Sequence, residues 1–288
     1  MVGLWRRRGR RPRVTVVIAT YNWATVLPFS IASVLAQTMQ DFELLVVGDG
    51  CTDESESVVR AIRDRRVSWH NLARNGRSQA GPNNLGVQLG RSERIAYLGH
   101  DDLWLPEHLE LLCSAMDGGA SFVFGRQLRI DPGRQLYVYP PPDYAYTAND
   151  WVAPTAAMHD RADAISVGGW WFPAECGDED PEANLWTRLT ASRGPPTFIE
   201  QVTSVKLPAS MRRGVYREKP CDEQTMWSAR IHAATSSAIF VEAALSDPDL
   251  HPPERYSPDD FIPEFQGIVP STAVERQRLG RRAKGLND

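Results

Sequence analysis

The amino-acid sequence predicts an α/β fold with a Rossmann-like, mostly parallel sheet that is flanked by helices. Short runs of β-branched and apolar residues alternate with segments in which apolar residues recur at helical spacing. Polar turns directly follow the most apolar runs. The chain of 288 residues is long enough to bury a full core, and 42% of its residues are hydrophobic. These observations are typical of right-handed βαβ units, which bind ligands beyond the carboxyl ends of their strands.

Strands are predicted where short apolar runs, rich in Val, Ile and Leu, are bounded by turn residues. The first covers residues 14–19 (VTVVIA) and the second residues 42–47 (FELLVV). The third, residues 67–71, is shorter and is followed by an Asn-Gly turn. The fourth covers residues 94–98 (RIAYL) and ends at a run of polar residues. Each of these strands is expected to be buried in a parallel sheet.

Helices are predicted between these strands. Residues 27–36 repeat apolar side chains every three or four positions and tolerate a proline in the first turn. A second helix contains residues 58–62, and Asp53 is well placed to cap it. A third helix covers residues 81–89 and can begin at Pro82. The alternation of strand and helix is therefore complete up to the fourth strand.

Beyond the fourth strand the pattern is less regular. A helix is predicted after Pro106 and up to about residue 116. A strand over residues 121–125 follows it. Residues 126–150 interleave tyrosines with prolines and suit a loop or hairpin better than a helix. Helices are predicted over residues 183–189 and 225–245, and a proline-rich tail follows them.

Composition and charge limit the class of protein. The net charge of −4 provides no overall positive field, so nucleic acid is not expected as a partner. The arginine-rich start allows weak peripheral contact with anionic lipid headgroups, although a solvated, frayed terminus is the simpler interpretation. There is no run of 18 apolar residues and no signal-peptide pattern, so we expect a cytoplasmic protein, with the inner face of the membrane as the alternative location. The four cysteines are widely spaced, which predicts reduced thiols. The sequence does not indicate an oligomeric state.

One candidate binding residue lies in the turn after the second strand. Asp49 stands between two glycines, and a carboxylate at a strand end can accept a hydrogen bond from the ring N–H of a pyrimidine base. Aspartate is also common in turns because it supports the backbone locally. The residues alone leave both interpretations open.

A pair of carboxylates follows the fourth strand. Asp101 and Asp102 would repel each other unless a cation compensates their charge. Mg²⁺ or Mn²⁺ prefers oxygen ligands and is commonly held by one or two carboxylates together with substrate phosphates. We therefore predict that Asp102 is a direct metal ligand and that Asp101 contacts the metal or a nucleotide diphosphate. An exposed turn or a helix cap is the alternative for a bare Asp-Asp pair.

Three motifs occur in a fixed order between residues 13 and 116. They are VTVVIATYN, SVLAQTMQDFELLVVGDGCTDES and IAYLGHDDLWLPEHLE. Together they resemble glycosyltransferase family 2, whose fold is called GT-A. The resemblance implies an inverting glycosyltransferase of polysaccharide or glycoconjugate biosynthesis. Such an enzyme moves a sugar from a nucleotide-diphosphate sugar to an acceptor hydroxyl with a divalent metal, Mn²⁺ or Mg²⁺.

The resemblance also implies roles for individual residues. The first turn, Thr20-Tyr21-Asn22, and Asp49 would contact the nucleotide, and the Asp101-Asp102 pair would lie at the donor diphosphate and metal. The family often has Ala-Arg-Asn where this chain has Gly-Pro-Asn at residues 81–83. The usual arginine is therefore missing, and Arg77 is a candidate substitute.

A looser similarity extends into the second half of the chain. The segment from Val167 to the LWTRL sequence at residues 185–189 is similar to the family segment that places a catalytic base ahead of a helix. Counting back from the arginine without a gap puts the base at Glu182, and a two-residue insertion puts it at Asp180, which we favour. Alternatively, Asp180 caps a helix that begins at Pro181, and capping and catalysis can coexist.

The resemblance predicts how the chain is divided. Residues 1–12 would form a basic N-terminal arm, and residues 13–125 the half that binds the nucleotide sugar. Residues 126–210 would form the acceptor-binding half of the same catalytic domain, and residues 211–288 a C-terminal extension.

Two other functions are compatible with an α/β fold. A nucleotidyltransferase would share the sheet and a metal, but it would be expected to carry a glycine-rich, basic phosphate loop after the first strand. The turn in that place contains neither glycine nor lysine. A catalytically silent nucleotide-binding or scaffold protein would keep the fold while its motifs change. Gly48 and His100, where the family usually has aspartate, and Pro82, where it often has arginine, are compatible with this alternative.

Overall fold

The structure is a computed structural model that describes residues 10–141, 146, 152–250 and 273–286. The described residues form nine strands and ten α-helices. The strands are β1 (Val14–Thr20), β2 (Phe42–Gly48), β3 (Val67–Asn71), β4 (Arg94–Gly99), β5 (Leu103–Trp104), β6 (Phe122–Asp131), β7 (Gln135–Tyr139), β8 (Ala157–Asp160) and β9 (Thr197–Lys206). The helices are α1 (Leu27–Leu35), α2 (Ser55–Ala61), α3 (Ala80–Leu89), α4 (His108–Asp117), α5 (Arg161–Ser166), α6 (Pro181–Arg193), α7 (Val215–Glu218), α8 (Asp222–Ala233), α9 (Ser237–Leu245) and α10 (Ala273–Ala283).

The strands form one sheet in the order β3-β2-β1-β4-β8-β6-β9-β5, with β7 added beside β6. Strands β1 to β4 are parallel to their neighbours within this group, as the alternation of strands and helices predicts. Beyond β4 the sheet is mixed, since β8, β7 and β5 are antiparallel to their partners while β6 and β9 are parallel. The predicted α/β fold class is confirmed.

The core lies on both faces of the sheet because the side chains of a strand point alternately to its two faces. On one face, Val16 and Ile18 of β1 pack in a cluster with residues of α1 and α4. On the other face, Val17 packs with residues of α3 and α6. Burying each such side chain stabilises the fold by about 1.5–3 kcal/mol. The carboxyl ends of β1, β2 and β4 are thereby fixed at one edge of the sheet.

Several differences from the sequence-based predictions lie in the second half. The single helix predicted over residues 225–245 is wrong, because α8 ends before Ala234 and Ser236 starts α9 by accepting a hydrogen bond from the N–H of Ile239 at 3.3 Å. Strand β9 was not predicted. Helix α10 follows the segment predicted to be a proline-rich tail, whose prolines lie outside the described residues. Within the described ranges, every helix is too short or too polar to cross a membrane.

Candidate functional site

A cavity of about 710 Å³ opens at the carboxyl edge of β1, β2 and β4, a volume within the usual range for small-molecule sites. Seven of the nine predicted site residues line it. They are Thr20, Tyr21, Asp49, Arg77, Asp101, Asp180 and Glu182. The other two, Asn22 and Asp102, lie beside the cavity without lining it.

The first turn is tied to the acidic turn by a buried histidine. Thr20 Oγ1 lies 2.9 Å from Nδ1 of His100, and the hydroxyl of Tyr216 lies 3.0 Å from its Nε2. Burial lowers the pKa of His100, so the ring is neutral at pH 7. Because both ring nitrogens are engaged, His100 joins the end of β1 to α7 and has no nitrogen left to bind a metal.

Asn22 braces the first turn instead of facing the cavity. Its side-chain oxygen accepts hydrogen bonds from the backbone N–H groups of Thr52 at 2.8 Å and Asp53 at 3.3 Å. Its backbone has a φ of 45°, a left-handed conformation that asparagine tolerates better than most residues. Asn22 thereby connects the turn after β1 to the loop that precedes α2.

Asp49 connects the turn after β2 to the loop after β3. It is 5% exposed, and its Oδ1 accepts the N–H of Gly76 at 2.8 Å. Burial raises the pKa of Asp49, while backbone N–H groups of Gly76, Arg77 and Ser78 act in the opposite direction. The carboxylate thus supports the loop that carries Arg77, not only its own turn, and it also lines the cavity.

The two adjacent aspartates occupy different environments. Asp102 is fully buried, and its Oδ2 contacts Nζ of Lys206 at 2.8 Å and the hydroxyl of Thr155. Its Oδ1 accepts the N–H of Leu207 at 2.9 Å. Asp101 is 6% exposed and lines the cavity. Burial opposes ionisation of Asp101, but the positive charge of Lys206 acts most strongly in the opposite direction, and the pKa of Asp101 lies below its usual value.

This arrangement determines how a divalent cation fits the site. Among the described residues, no three His, Cys, Asp or Glu side chains form a cluster that could hold a metal ion by itself. Asp101 can supply one carboxylate from the cavity wall, which suffices where substrate phosphates supply further oxygens. Asp102 is fully buried against Lys206, Thr155 and Leu207 and does not line the cavity, so it is less accessible to such an ion than Asp101 is. Position 99, just before the acidic turn, is a glycine. An added Cβ would lie 2.5 Å from Oδ2 of Asp102, so a larger residue would displace that carboxylate.

The two candidate bases stand at the start of α6. Asp180 occupies the N-cap position, but its side chain makes no capping hydrogen bond. It pairs instead with Arg276 of α10, with 3.1 Å between Oδ1 and Nε. Glu182 accepts a hydrogen bond from Nε2 of Gln79 at 2.9 Å. Both carboxylates line the same cavity as Asp101.

Several cavity residues were not predicted from the sequence. Lys206 lies at the end of β9, and Tyr216 lies in α7. Arg281 and Lys284 line the cavity from the C-terminal segment. A basic stripe at helical spacing was the available signal for the last two, whereas nothing local marks Lys206 or Tyr216.

Comparison with known proteins identifies relatives. The family model described as glycosyl transferase family 2 matches residues 15–189. The chain is 32% identical over 115 residues to the E. coli UDP-Glc:alpha-D-GlcNAc-diphosphoundecaprenol beta-1,3-glucosyltransferase WfgD. That match covers 39% of this chain and 44% of WfgD. The chain thus spans less than half the length of the curated relatives it matches.

Two solved structures share the fold. S. aureus TarS 1-349 in complex with UDP has a TM-score of 0.53 and 14% identity, over 82% of this chain and 72% of that one. The mannosyltransferase PcManGT of Pyrobaculum calidifontis, in complex with GDP-Man and Mn²⁺, has a TM-score of 0.53 and 17% identity. The match covers 96% of this chain and 72% of PcManGT.

Proposed function

This chain belongs to glycosyltransferase family 2, and we propose that it catalyses inverting transfer of a sugar from a nucleotide-diphosphate donor to an acceptor hydroxyl. One observation carries the proposal. The polar turns after β1, β2 and β4 and the two carboxylates at the start of α6 line a single cavity. That arrangement supports the proposal of a nucleotide site and a base within one pocket.

The nucleotide is proposed to bind at the turns after β1 and β2. Thr20, Tyr21 and Asp49 line this part of the cavity, with Arg77 on the adjoining loop. TarS in complex with UDP and PcManGT in complex with GDP-Man support a nucleotide donor for this fold. Asn22 is proposed to act through the backbone of the loop before α2.

The donor diphosphate is proposed to lie at Asp101. A divalent ion, Mn²⁺ or Mg²⁺, would be held there by Asp101 and by phosphate oxygens, and when bound it would neutralise the departing diphosphate. The Mn²⁺ in PcManGT supports this choice of ion. Asp102 contributes by positioning Lys206 and the backbone of Leu207, which fixes the wall on which Asp101 stands.

The proposed reaction needs a base near the acceptor. Asp180 or Glu182 removes the proton of the acceptor hydroxyl as its oxygen attacks the anomeric carbon. The attack occurs on the side opposite the bond to the diphosphate. That bond breaks, and the diphosphate leaves with the electron pair. The configuration at the anomeric carbon therefore inverts. Both carboxylates face the cavity, and the ion pair of Asp180 with Arg276 distinguishes the two candidates.

The acceptor is proposed to be a carbohydrate or a glycoconjugate. WfgD, which is named for a diphosphoundecaprenol-linked GlcNAc acceptor, supports a lipid-linked acceptor and hence a protein that works at the cytoplasmic face of a membrane. A free oligosaccharide acceptor would need no such location.

The test is a donor screen in which mass spectrometry detects hydrolysis or transfer from a panel of UDP-, GDP- and dTDP-sugars. The full chain would be assayed with Mn²⁺, with Mg²⁺ and with EDTA. We expect one nucleotide class to be consumed, and NMR of the product to show an inverted anomeric centre. If no donor reacts and calorimetry detects no nucleotide binding, the chain is a scaffold and the proposal is wrong.

A further inference from the structure

Helix α10 forms one wall of the cavity. Six residues of the segment 273–286 line it, and all but Leu286 recur at helical intervals and therefore lie on one face. The residues on this face are Arg276, Gln277, Gly280, Arg281 and Lys284. The wall brings three basic side chains to the space beside Asp101 and the candidate bases.

Contacts at both ends fix this helix to the rest of the site. The N–H groups of Gly214 and Tyr216 donate to the carbonyl oxygens of Ala283 at 2.7 Å and Lys284 at 3.0 Å. At the other end, Arg276 pairs with Asp180, and Gln277 donates to the carbonyl oxygen of Arg77. Helix α10 therefore contacts the nucleotide loop and the candidate base as well as α7.

The charge of the lining favours an anion. In the part of the chain that the structure describes, six Lys and Arg side chains line the cavity against four carboxylates. Burial lowers the pKa of Arg281, and the nearby Arg77 adds to the effect. Burial likewise lowers the pKa of Lys284, with further contributions from Lys206 and Arg281. A bound anion would favour the charged forms of both side chains.

The same wall leaves space for a ligand. A Cβ placed on Gly280 would meet no atom within 4 Å apart from its chain neighbours and the backbone of its own helix. Glycine weakens a helix interior relative to alanine, and here it lies between the basic residues on the face that lines the cavity. The open space lies next to Arg281.

We infer that α10 is part of the donor site and that Arg281 and Lys284 bind the diphosphate of the nucleotide sugar, with Gly280 leaving room for it. A guanidinium group can bind phosphate oxygens in pairs, and an ammonium group adds a point charge. The inference rests on the proposed function, because it assigns the donor's diphosphate to a wall of that cavity. The alternative is that both basic residues only stabilise the carboxyl end of the helix.

The test is isothermal calorimetry on the full chain with inorganic pyrophosphate, UDP, GDP and the free nucleosides, each with Mn²⁺ and with EDTA. Arg281→Gln and Lys284→Gln should each weaken binding of pyrophosphate and of the preferred diphosphate by roughly tenfold to hundredfold. Affinity for the nucleoside should not change. Arg278→Gln is the matched control, since Arg278 is exposed on the same helix and does not line the cavity.

A second variant blocks the space without removing a charge. Gly280→Leu should lower affinity for the diphosphate at least tenfold while the helix is retained, which circular dichroism would check. If Arg281→Gln, Lys284→Gln and Gly280→Leu all bind the diphosphate like the wild type, the inference is wrong. If the Arg281 and Lys284 variants then change only the melting temperature, the two basic residues serve to stabilise the carboxyl end of the helix.

The controls separate this inference from the proposed function. If the wild type binds pyrophosphate through these residues but neither UDP nor GDP, the anion site is real and the donor assignment fails. If the wild type binds a nucleoside diphosphate that the variants bind equally well, the donor assignment stands and the role of α10 fails. If it binds none of the probes, both fail.

Discussion

Two walls of the same cavity are built differently. The sheet-edge wall consists of the turns after β1, β2 and β4, and neighbouring strand ends tie it together by backbone bonds such as Asp49 N–H to Thr20 O at 2.8 Å. The helical wall consists of α10, which is held by two backbone bonds at its end and by side chains such as Arg276. The main chain of neighbouring strand ends therefore holds the sheet-edge wall, whereas the helical wall depends on contacts between segments far apart in sequence.

The largest expected effect tests the rigidity of the sheet-edge wall. Asp102→Asn should lower the free energy of unfolding by about 3–5 kcal/mol, because it leaves the buried ammonium group of Lys206 without its carboxylate. Urea denaturation measures this loss. The double variant Asp102→Leu with Lys206→Met is the control and should recover much of the stability.

The opposite outcome would support the role predicted from the sequence. If Asp102→Asn is as stable as the wild type but loses Mn²⁺-dependent nucleotide affinity, Asp102 is a metal ligand. Its Oδ1, which accepts one hydrogen bond from Leu207, would be the atom that reaches the ion.

The next effect concerns the two carboxylates at the start of α6, of which Asp180 pairs with Arg276 of the helical wall. Whichever of Asp180→Asn and Glu182→Gln removes the base should reduce turnover by about a hundredfold or more, or roughly 2.7 kcal/mol, with donor binding preserved. The other variant should be mild and serves as its matched control. Steady-state kinetics on an accepted substrate measures both. Near-normal turnover in both variants would move the base elsewhere, with Glu179 the next residue to replace.

A smaller effect distinguishes binding from support within the sheet-edge wall. Asp49→Ala should weaken nucleotide binding about tenfold, the size expected for one hydrogen bond to a charged group. The melting temperature of the unliganded protein should change little. Calorimetry and thermal unfolding are measured on the same preparation. A sharp fall in melting temperature with unchanged affinity would mean that Asp49 only holds the loop at Gly76.

The smallest effect measures the helical wall by itself. Gly280→Ala should stabilise α10 by roughly 0.5–1 kcal/mol, because alanine fits the open space and favours the helix. Hydrogen exchange of the α10 amides should slow accordingly. If the global unfolding midpoint shifts as well, the helix unfolds together with the sheet and the contrast between the two walls is smaller than proposed.

The same contrast explains what the sequence could predict. The parallel strands β1, β2 and β4 were predicted to within about one residue, because each apolar run ends at a turn visible in the sequence itself. The turn residues Thr20, Asp49 and Asp101 followed from the ends of those strands. A fold assembled from local units is accessible to local patterns.

The sequence could not distinguish Asp101 from Asp102. Which carboxylate faces the cavity depends on Lys206, which lies 104 residues further along the chain. The pairing of Asp180 with Arg276 likewise joins residues 96 positions apart. Helix α10 was missed for a different reason, since its basic stripe was present but the prolines before it suggested a tail. The assignment of a metal or catalytic role to any of these side chains stays a prediction.

The side chains that position 99 can tolerate depend on the residues at positions 102 and 206. An added Cβ would force the carboxylate of Asp102 away from the three partners that hold it, since the two atoms would lie 2.5 Å apart. A side chain at position 99 therefore requires the Asp102 carboxylate to move, at the expense of its contact with Lys206. In evolutionary terms the three positions are epistatic. A substitution that adds a side chain at 99 is therefore expected to be tolerated better when Asp102 and Lys206 have changed as well.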